Sequence, residues 1–284
     1  MFQQNPSIKM AGRRLALCLF ACIGISGANA QDGGGQTTRQ KVEQTRQLAE
    51  SGDALAQAML GFFYDTGDGV ARDPAQALLW YRRAADQGQP RAQYNLGIMY
   101  DGVRGISQDY AQAMAWYRKS AEQGYAPAQY SLGNMYEAAS GVSRDYAQAA
   151  AWYRRSAEQG DALAQYHLGY LYENGLGVGQ DYPQALAWYR RAAAGGDAKA
   201  QTTLGYIYHT GMGVERDYAQ AMDLYRKAAA QGQSDAQYDI GLLYENGYGV
   251  ARDMDQAIAW YRKAAAQGST EARQKLARLG VQSN

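Results

Sequence analysis

From Ala54 to Gly268 the chain repeats itself every 36 residues without a slip. Leu60, Leu96, Leu132, Leu168, Leu204 and Ile240 fall in register, each followed by glycine. Tyr64, Tyr100, Tyr136, Tyr172, Tyr208 and Tyr244 form a second column, and Asp73, Asp109, Asp145, Asp181, Asp217 and Asp253 a third. Trp80, Trp116, Trp152, Trp188 and Trp260 form a fourth, with Leu224 in its place in the fifth copy. Six in-register copies of this length constrain the fold more than any composition value, because such units bury their apolar faces only by stacking on one another.

Each copy reads as two helices. The first carries apolar residues at helical spacing, as in Ala92, Leu96, Met99 and Tyr100, and stops at a Gly-rich loop such as ENGLGV at 173–178. The third copy departs there, with EAASGV at 137–142 lacking the first loop glycine. The second helix starts at the Asp column, and a Gln follows three residues later in all six copies, Asp145 and Gln148 for example. That spacing predicts a capping box, in which Asp accepts an orphan N–H and Gln reaches back to the Asp N–H. Ala77, Trp80, Tyr81 and Ala84 share one face of the second helix, which ends at Gly88 and its equivalents. A glycine inside the first helix (Gly61, Gly97, Gly133, Gly169, Gly205, Gly241) costs about 1 kcal/mol against alanine, so a Trp or Tyr of a neighbouring helix is expected to need the space.

The ends read differently. KMAGRR is a basic flank, Leu15 to Ile25 an apolar run too short to span a bilayer, and Ala28 to Ala30 a small-residue cleavage pattern. Residues 1–30 therefore read as a secretory signal peptide, initiated at Met1 or Met10, and the mature chain as periplasmic or secreted. A lipoprotein site at Cys22 is the alternative. Cys18 and Cys22 are the only cysteines, so cleavage after Ala30 leaves no thiol or disulfide. It also removes Lys9, Arg13 and Arg14 and no acids, leaving 25 basic against 27 acidic residues, a balance that points to no nucleic-acid partner. Residues 31–38 read as a flexible leader, 39–53 as an N-terminal capping helix with Gln44 and Thr45 in the Trp and Tyr columns, 54–268 as the six repeats, and 269–284 as a C-terminal capping helix and tail. No segment after residue 30 is apolar enough for a membrane helix.

The unit A-x-x-x-L-G-x-x-Y-x-x-G-x-G-V-x-x-D-x-x-x-A-x-x-W-Y-x-x-A-A-x-x-G closely resembles the Sel1-like repeat, a relative of the tetratricopeptide repeats. The resemblance implies an all-α fold, a right-handed α/α solenoid, and a role as scaffold or adaptor for protein partners. A cysteine-rich branch of that family is linked to penicillin binding, and the absence of its cysteines leaves that activity without support here.

No catalytic constellation stands out. His167 and His209 lack metal-spaced partners, and no S-x-x-K, K-T-G, G-x-S-x-G or H-E-x-x-H occurs. Asp65 to Asp73 loosely follows a calcium loop, but Gln76 stands where the closing Glu belongs. We therefore expect no enzyme, cofactor or metal; a cell-wall hydrolase or β-lactam-processing enzyme is the alternative class. Six dibasic pairs from Arg82/Arg83 to Arg262/Lys263 read as cations at helix C-termini, or as a basic stripe for an anionic partner.

Columns that vary between copies, on the arc of the first helix away from the core, are the candidate partner-binding residues. They comprise Tyr94, Ile98, Asp101, Tyr130, Asn134, Glu137, Tyr166, His167, Tyr170, Glu173, Tyr206, His209, Tyr238, Leu242 and Glu245. The arc is expected to line a concave groove, Tyr-rich with a row of acids, suited to a basic protein or peptide. The competing reading is that the Tyr column packs against the next copy's first helix.

Overall fold

A computed structural model describes residues 34–102 and 106–282. The expected signal peptide, residues 31–33 of the expected leader, and Ser283 and Asn284 lie outside the described residues. Among the described residues there are fourteen helices and no strand. They are α1 Gly34–Glu50, α2 Ala54–Thr66, α3 Pro74–Asp86, α4 Pro90–Tyr100, α5 Tyr110–Glu122, α6 Ala126–Ala138, α7 Tyr146–Glu158, α8 Ala162–Asn174, α9 Tyr182–Ala194, α10 Ala198–Thr210, α11 Tyr218–Ala230, α12 Ser234–Asn246, α13 Met254–Ala266 and α14 Thr270–Arg278. The chain divides within α5 into two compact units, Met1–Lys119 and Ser120–Asn284.

Within each unit, one contact organises every copy. The second-helix tyrosine (Tyr81, Tyr117, Tyr153, Tyr189, Tyr225, Tyr261) is at most 3% exposed. Its ring lies flat on the glycine of the first helix of the same copy. A Cβ at Gly133 would stand 2.6 Å from Cδ1 of Tyr153, which no real side chain tolerates. The glycine thus accepts its helix-propensity cost to admit a whole aromatic ring. Tyrosine takes this place rather than tryptophan: Trp80, Trp116 and Trp188 are buried beside it, while Trp152 and Trp260 are only half-buried.

Successive copies are joined by a buried polar column. Gln129, Gln165, Gln201 and Gln237 donate through Nε2 to the carbonyls of Ala121, Ala157, Ala193 and Ala229 in the last turn of the preceding second helix, at 3.0–3.4 Å. In the first unit Gln57 and Gln93 do the same to Ala49 and Ala85. Gln159 and Gln231 add a second tie, donating to Oε1 of Gln129 and Gln201 at 2.8 and 3.0 Å. Buried amides need such partners, and a fixed partner pins the register of one copy on the next.

The first helix, α1, begins at Gly34, inside the stretch 31–38 expected to be a flexible leader. Thr38 and Val42 pack against the loop glycine Gly69, and Val42, Thr45 and Ala49 bury one face of α1, so the helix is anchored from Thr38 onward. In the second unit α14 closes the array through Ala272 and Leu276, both fully buried.

Half of the expected capping box forms. Asp145 Oδ1 accepts the Gln148 N–H at 2.9 Å, and the equivalents at Asp73, Asp109, Asp181, Asp217 and Asp253 match it. The reciprocal bond is missing for a reason common to all copies. The Asp N–H is already donated to the carbonyl of the tyrosine closing the first helix, Asp145 to Tyr136 at 3.1 Å and Asp181 to Tyr172 at 3.0 Å. That bond folds the Gly-rich loop back on itself. Among the described residues Gln220 alone of the six Gln side chains reaches back, and it meets the Asp217 carboxylate (Nε2 to Oδ2, 2.9 Å) rather than the Asp N–H. A second set of caps, unmarked in the sequence reading, starts first helices: Asp53, Asp161 and Asp197 accept from Ala56, Ala164 and Ala200.

Two outcomes check this account. Asp145→Ala should cost about 1 kcal/mol in urea unfolding, whereas Gln148→Ala should change stability by less than about 0.5 kcal/mol; an equal loss in both would restore the full box. Ala139 occupies the left-handed cap that glycine holds in other copies, at φ 60°. Ala139→Gly should therefore raise stability by about 1 kcal/mol, read as a higher urea midpoint at unchanged slope.

Candidate partner-binding face

The first helices of the second unit lie side by side, as their polar contacts show. Tyr130 Oη stands 3.5 Å from His167 Nε2, and the Tyr166 hydroxyl meets Thr203. The Tyr column therefore does pack toward the next first helix. Its rings also rest on the core tyrosines, with centroids 5.7 Å apart for Tyr130–Tyr153 and Tyr166–Tyr189 and 5.4 Å for Tyr238–Tyr261. In the first unit Tyr94 sits 5.7 Å from Tyr117 in the same way and is buried.

The row of acids is tied to the core as well. Tyr153, Tyr189 and Tyr261 donate their hydroxyls to Oε2 of Glu137, Glu173 and Glu245 at 2.6, 2.6 and 2.5 Å. A tyrosine with no room for water thus places its one polar atom on the surface carboxylate sixteen residues earlier. Nδ1 of His167 stands 3.0 Å from the same Glu137 oxygen, and its ring stacks 5.0 Å from Tyr153. Glu245 is paired with Lys275 of α14 at 2.8 Å. In the fifth copy His209 replaces the acid, 3.5 Å from the Tyr225 hydroxyl and beside the rings of Tyr218 and Tyr248.

Charge states follow from these contacts. Burial pushes the Glu137 carboxyl up, but His167, Tyr153 and Arg144 more than reverse it, leaving it below the usual value. Glu245 is likewise lowered, Lys275, Tyr261 and Arg252 outweighing burial. Asp101 has no such help, and burial lifts it to about 6. Asp239 is lifted to about 7 by burial and by the nearby Asp235, against a hydrogen bond from Tyr225.

Of the fifteen candidate residues only Tyr170 and Tyr206 are exposed, at 39% and 48%. Ile98, Asp101, Tyr130, Asn134, Glu137, Tyr166, His167, Glu173, His209, Tyr238, Leu242 and Glu245 are half-buried. Tyr170 and Tyr206 hold the same position in α8 and α10, successive first helices of the second unit.

The dibasic pairs have intramolecular partners that helix-end electrostatics alone did not suggest. Arg154 donates to the Tyr172 hydroxyl of the next copy, and Arg190 and Arg226 to Tyr208 and Tyr244 at 3.1 and 3.2 Å. The second cation covers the indole of its own helix, as Arg155 does Trp152 at 4.6 Å and Lys263 does Trp260 at 3.9 Å. Among the described residues no group of three His, Cys, Asp or Glu side chains is placed to hold a metal, and no helix is long and apolar enough to cross a membrane.

Stacked helix pairs with a repeated core and a variable first-helix face define an α-solenoid scaffold, the class of fold that presents surface to protein partners. The chain belongs to the Sel1 repeat family: the Sel1 repeat matches residues 54–89, 90–125, 126–161, 162–197, 198–233 and 234–269. Its structure is similar to that of c5321, a protective antigen of uropathogenic Escherichia coli strains with an SLR fold, at 40% identity and a TM-score of 0.78 over 87% of this chain and 54% of that one. The chain thus spans about half the length of that relative. It is also similar to a Sel1 repeat protein from Oxalobacter formigenes, 35% identical with a TM-score of 0.71, covering 79% of this chain and 99% of that one. The comparison with curated proteins gave no match.

The raised carboxyl of Asp239 carries a sign. Between its unfolded value of 3.8 and its folded value of about 7, the native state binds the extra proton, so stability falls as pH rises through that window. Asp239→Asn should flatten the fall, adding on the order of 2 kcal/mol at pH 8 and little at pH 4, measured by urea unfolding at the two pH values.

Proposed function

We propose that this protein is an exported scaffold that does no chemistry and binds a protein or peptide through the first-helix face of its second unit. The observation that carries the reading is the pair Tyr170 and Tyr206, exposed at equivalent positions of successive first helices while the other candidates are half-buried or buried. Tyrosine offers large contact area for the loss of few rotatable bonds and is enriched in interfaces. Glu137 and Glu173, fixed by Tyr153 and Tyr189, supply acidic charge beside them and favour a partner segment carrying Lys or Arg.

Export rests on the N-terminal pattern of basic flank, apolar run and Ala28 to Ala30. The similar E. coli protein is a protective antigen, a description that accords with a chain leaving the cytoplasm. The mass of the mature chain checks this: an N-terminus at Gln31 is expected, and an acylated Cys22 would replace the signal-peptide reading with a lipoprotein.

A partner captured from cell-envelope extract tests the face. Tyr170→Ala with Tyr206→Ala should weaken its binding by about tenfold or more, near 1.4 kcal/mol, at unchanged helical content. Affinity should also fall as salt rises. Gln184→Glu, exposed on the second helix α9, is the matched control and should leave affinity intact. Loss of binding in the control alone would move the site to the second-helix face.

A further inference from the structure

The fifth copy departs from the others at two adjacent positions of its second helix. The Trp column is filled by Leu224, and the preceding position, alanine in four copies and Leu79 in the first, is Asp223. At this point the second unit has an open cleft of about 360 Å³, lined among others by Arg190, Leu204, Tyr208, Ala219, Asp223 and Leu224.

We propose that this cleft binds the tryptophan side chain of a partner polypeptide. Its lining matches that of the seat used by Trp188. The counterparts of Leu204 and Tyr208 in the fourth copy are Leu168 and Tyr172, which share one core cluster with Trp188. Leu204, Tyr208 and Leu224 share a cluster in turn, but the shorter side chain leaves the seat open. An incoming indole completes the packing that Trp188 makes internally in the fourth copy, and a volume of a few hundred Å³ is the scale of a small-ligand site.

The rim is suited to the same ring. In the other copies the cation three residues after the tryptophan covers it, as Arg191 covers Trp188 at 4.6 Å. In the fifth copy that cation is Lys227, which has no indole and pairs instead with Asp223 at 2.6 Å, both side chains being exposed. Lys227 is thus poised to cover a ring from outside. Asp223 adds an acceptor that the self-filled copies lack. The buried indole N–H of Trp116, with Ala115 before it, makes no hydrogen bond. A carboxylate in the cleft wall gives an indole N–H a partner and a phenyl ring none, which sets a preference for tryptophan. This site is separate from the Tyr170 and Tyr206 face, being formed by α9, α10 and α11 rather than by first helices alone.

The probes are N-acetyl-L-tryptophan amide and N-acetyl-L-phenylalanine amide, titrated into the full chain and followed by NMR at the methyl groups of Leu204 and Leu224. Saturable shifts are expected at both methyl sets, with the tryptophan amide binding at least about fivefold tighter than the phenylalanine amide. Leu224→Trp should abolish the shifts by filling the seat, and Asp223→Ala should keep binding but erase the preference. If Leu224→Trp loses helical content, Ala219→Leu, at an exposed position of the first turn of α11, closes the mouth and should abolish binding instead. Absent shifts, equal affinity for the two amides, or binding that persists in the filled or closed variant would overturn the proposal. Dimerisation that Leu224→Trp removes would also overturn it, in favour of a second copy of this chain as the occupant.

Discussion

A tyrosine ring pressed onto a bare glycine backbone is the contact on which each copy depends. It requires three residues at once: the glycine that admits the ring, the tyrosine itself, and a surface group that receives its hydroxyl. Glu137, Glu173 and Glu245 fill the third role. One side chain therefore crosses from the core to the candidate binding face. That ties the acids to stability, since a buried phenol without an acceptor costs about 1–3 kcal/mol. It also limits how far the face can vary, because a change in the acid column is felt in the core.

The buried glutamine column acts between copies. It fixes one copy on the next, where the tyrosine fixes the two helices within a copy. Alanines dominate the surrounding packing, as at Ala149, Ala157 and Ala164. Small side chains let helices approach closely but specify register poorly, because alanine surfaces slide with little penalty. A directional amide-to-carbonyl bond supplies the missing specificity.

The fifth copy is where this regularity is relaxed. Thr202 stands in the Tyr column, His209 in the acid column, and Asp223 with Leu224 in place of Ala and Trp. Lys227 and Tyr225 keep their positions but acquire new partners, Asp223 and His209. A repeat protein gains function by changing single columns in single copies while the remaining copies hold the scaffold.

The helix pairs, their approximate ends and the family were legible in the amino-acid order, because a period of 36 residues with caps and breakers in fixed columns leaves one consistent reading. It also indicated that the helical glycines make room for an aromatic ring. It did not tell which ring, since Trp and Tyr stand side by side at 80 and 81, both are buried, and only the packed structure shows that Tyr81 is the one that meets Gly61. The glutamine column was visible as a repeat but its role was not, for a polar residue gives no sign in sequence that it is buried until its acceptor is placed. The same holds for the acids. Periodicity put Glu137 and Glu173 on one arc, whereas only the tertiary structure decided that each already holds a tyrosine hydroxyl and that Tyr170 and Tyr206 alone among the candidates stay exposed. Spacing along one helix fixes which residues share a face; what that face touches depends on the neighbouring helix, and that relation exists only after packing.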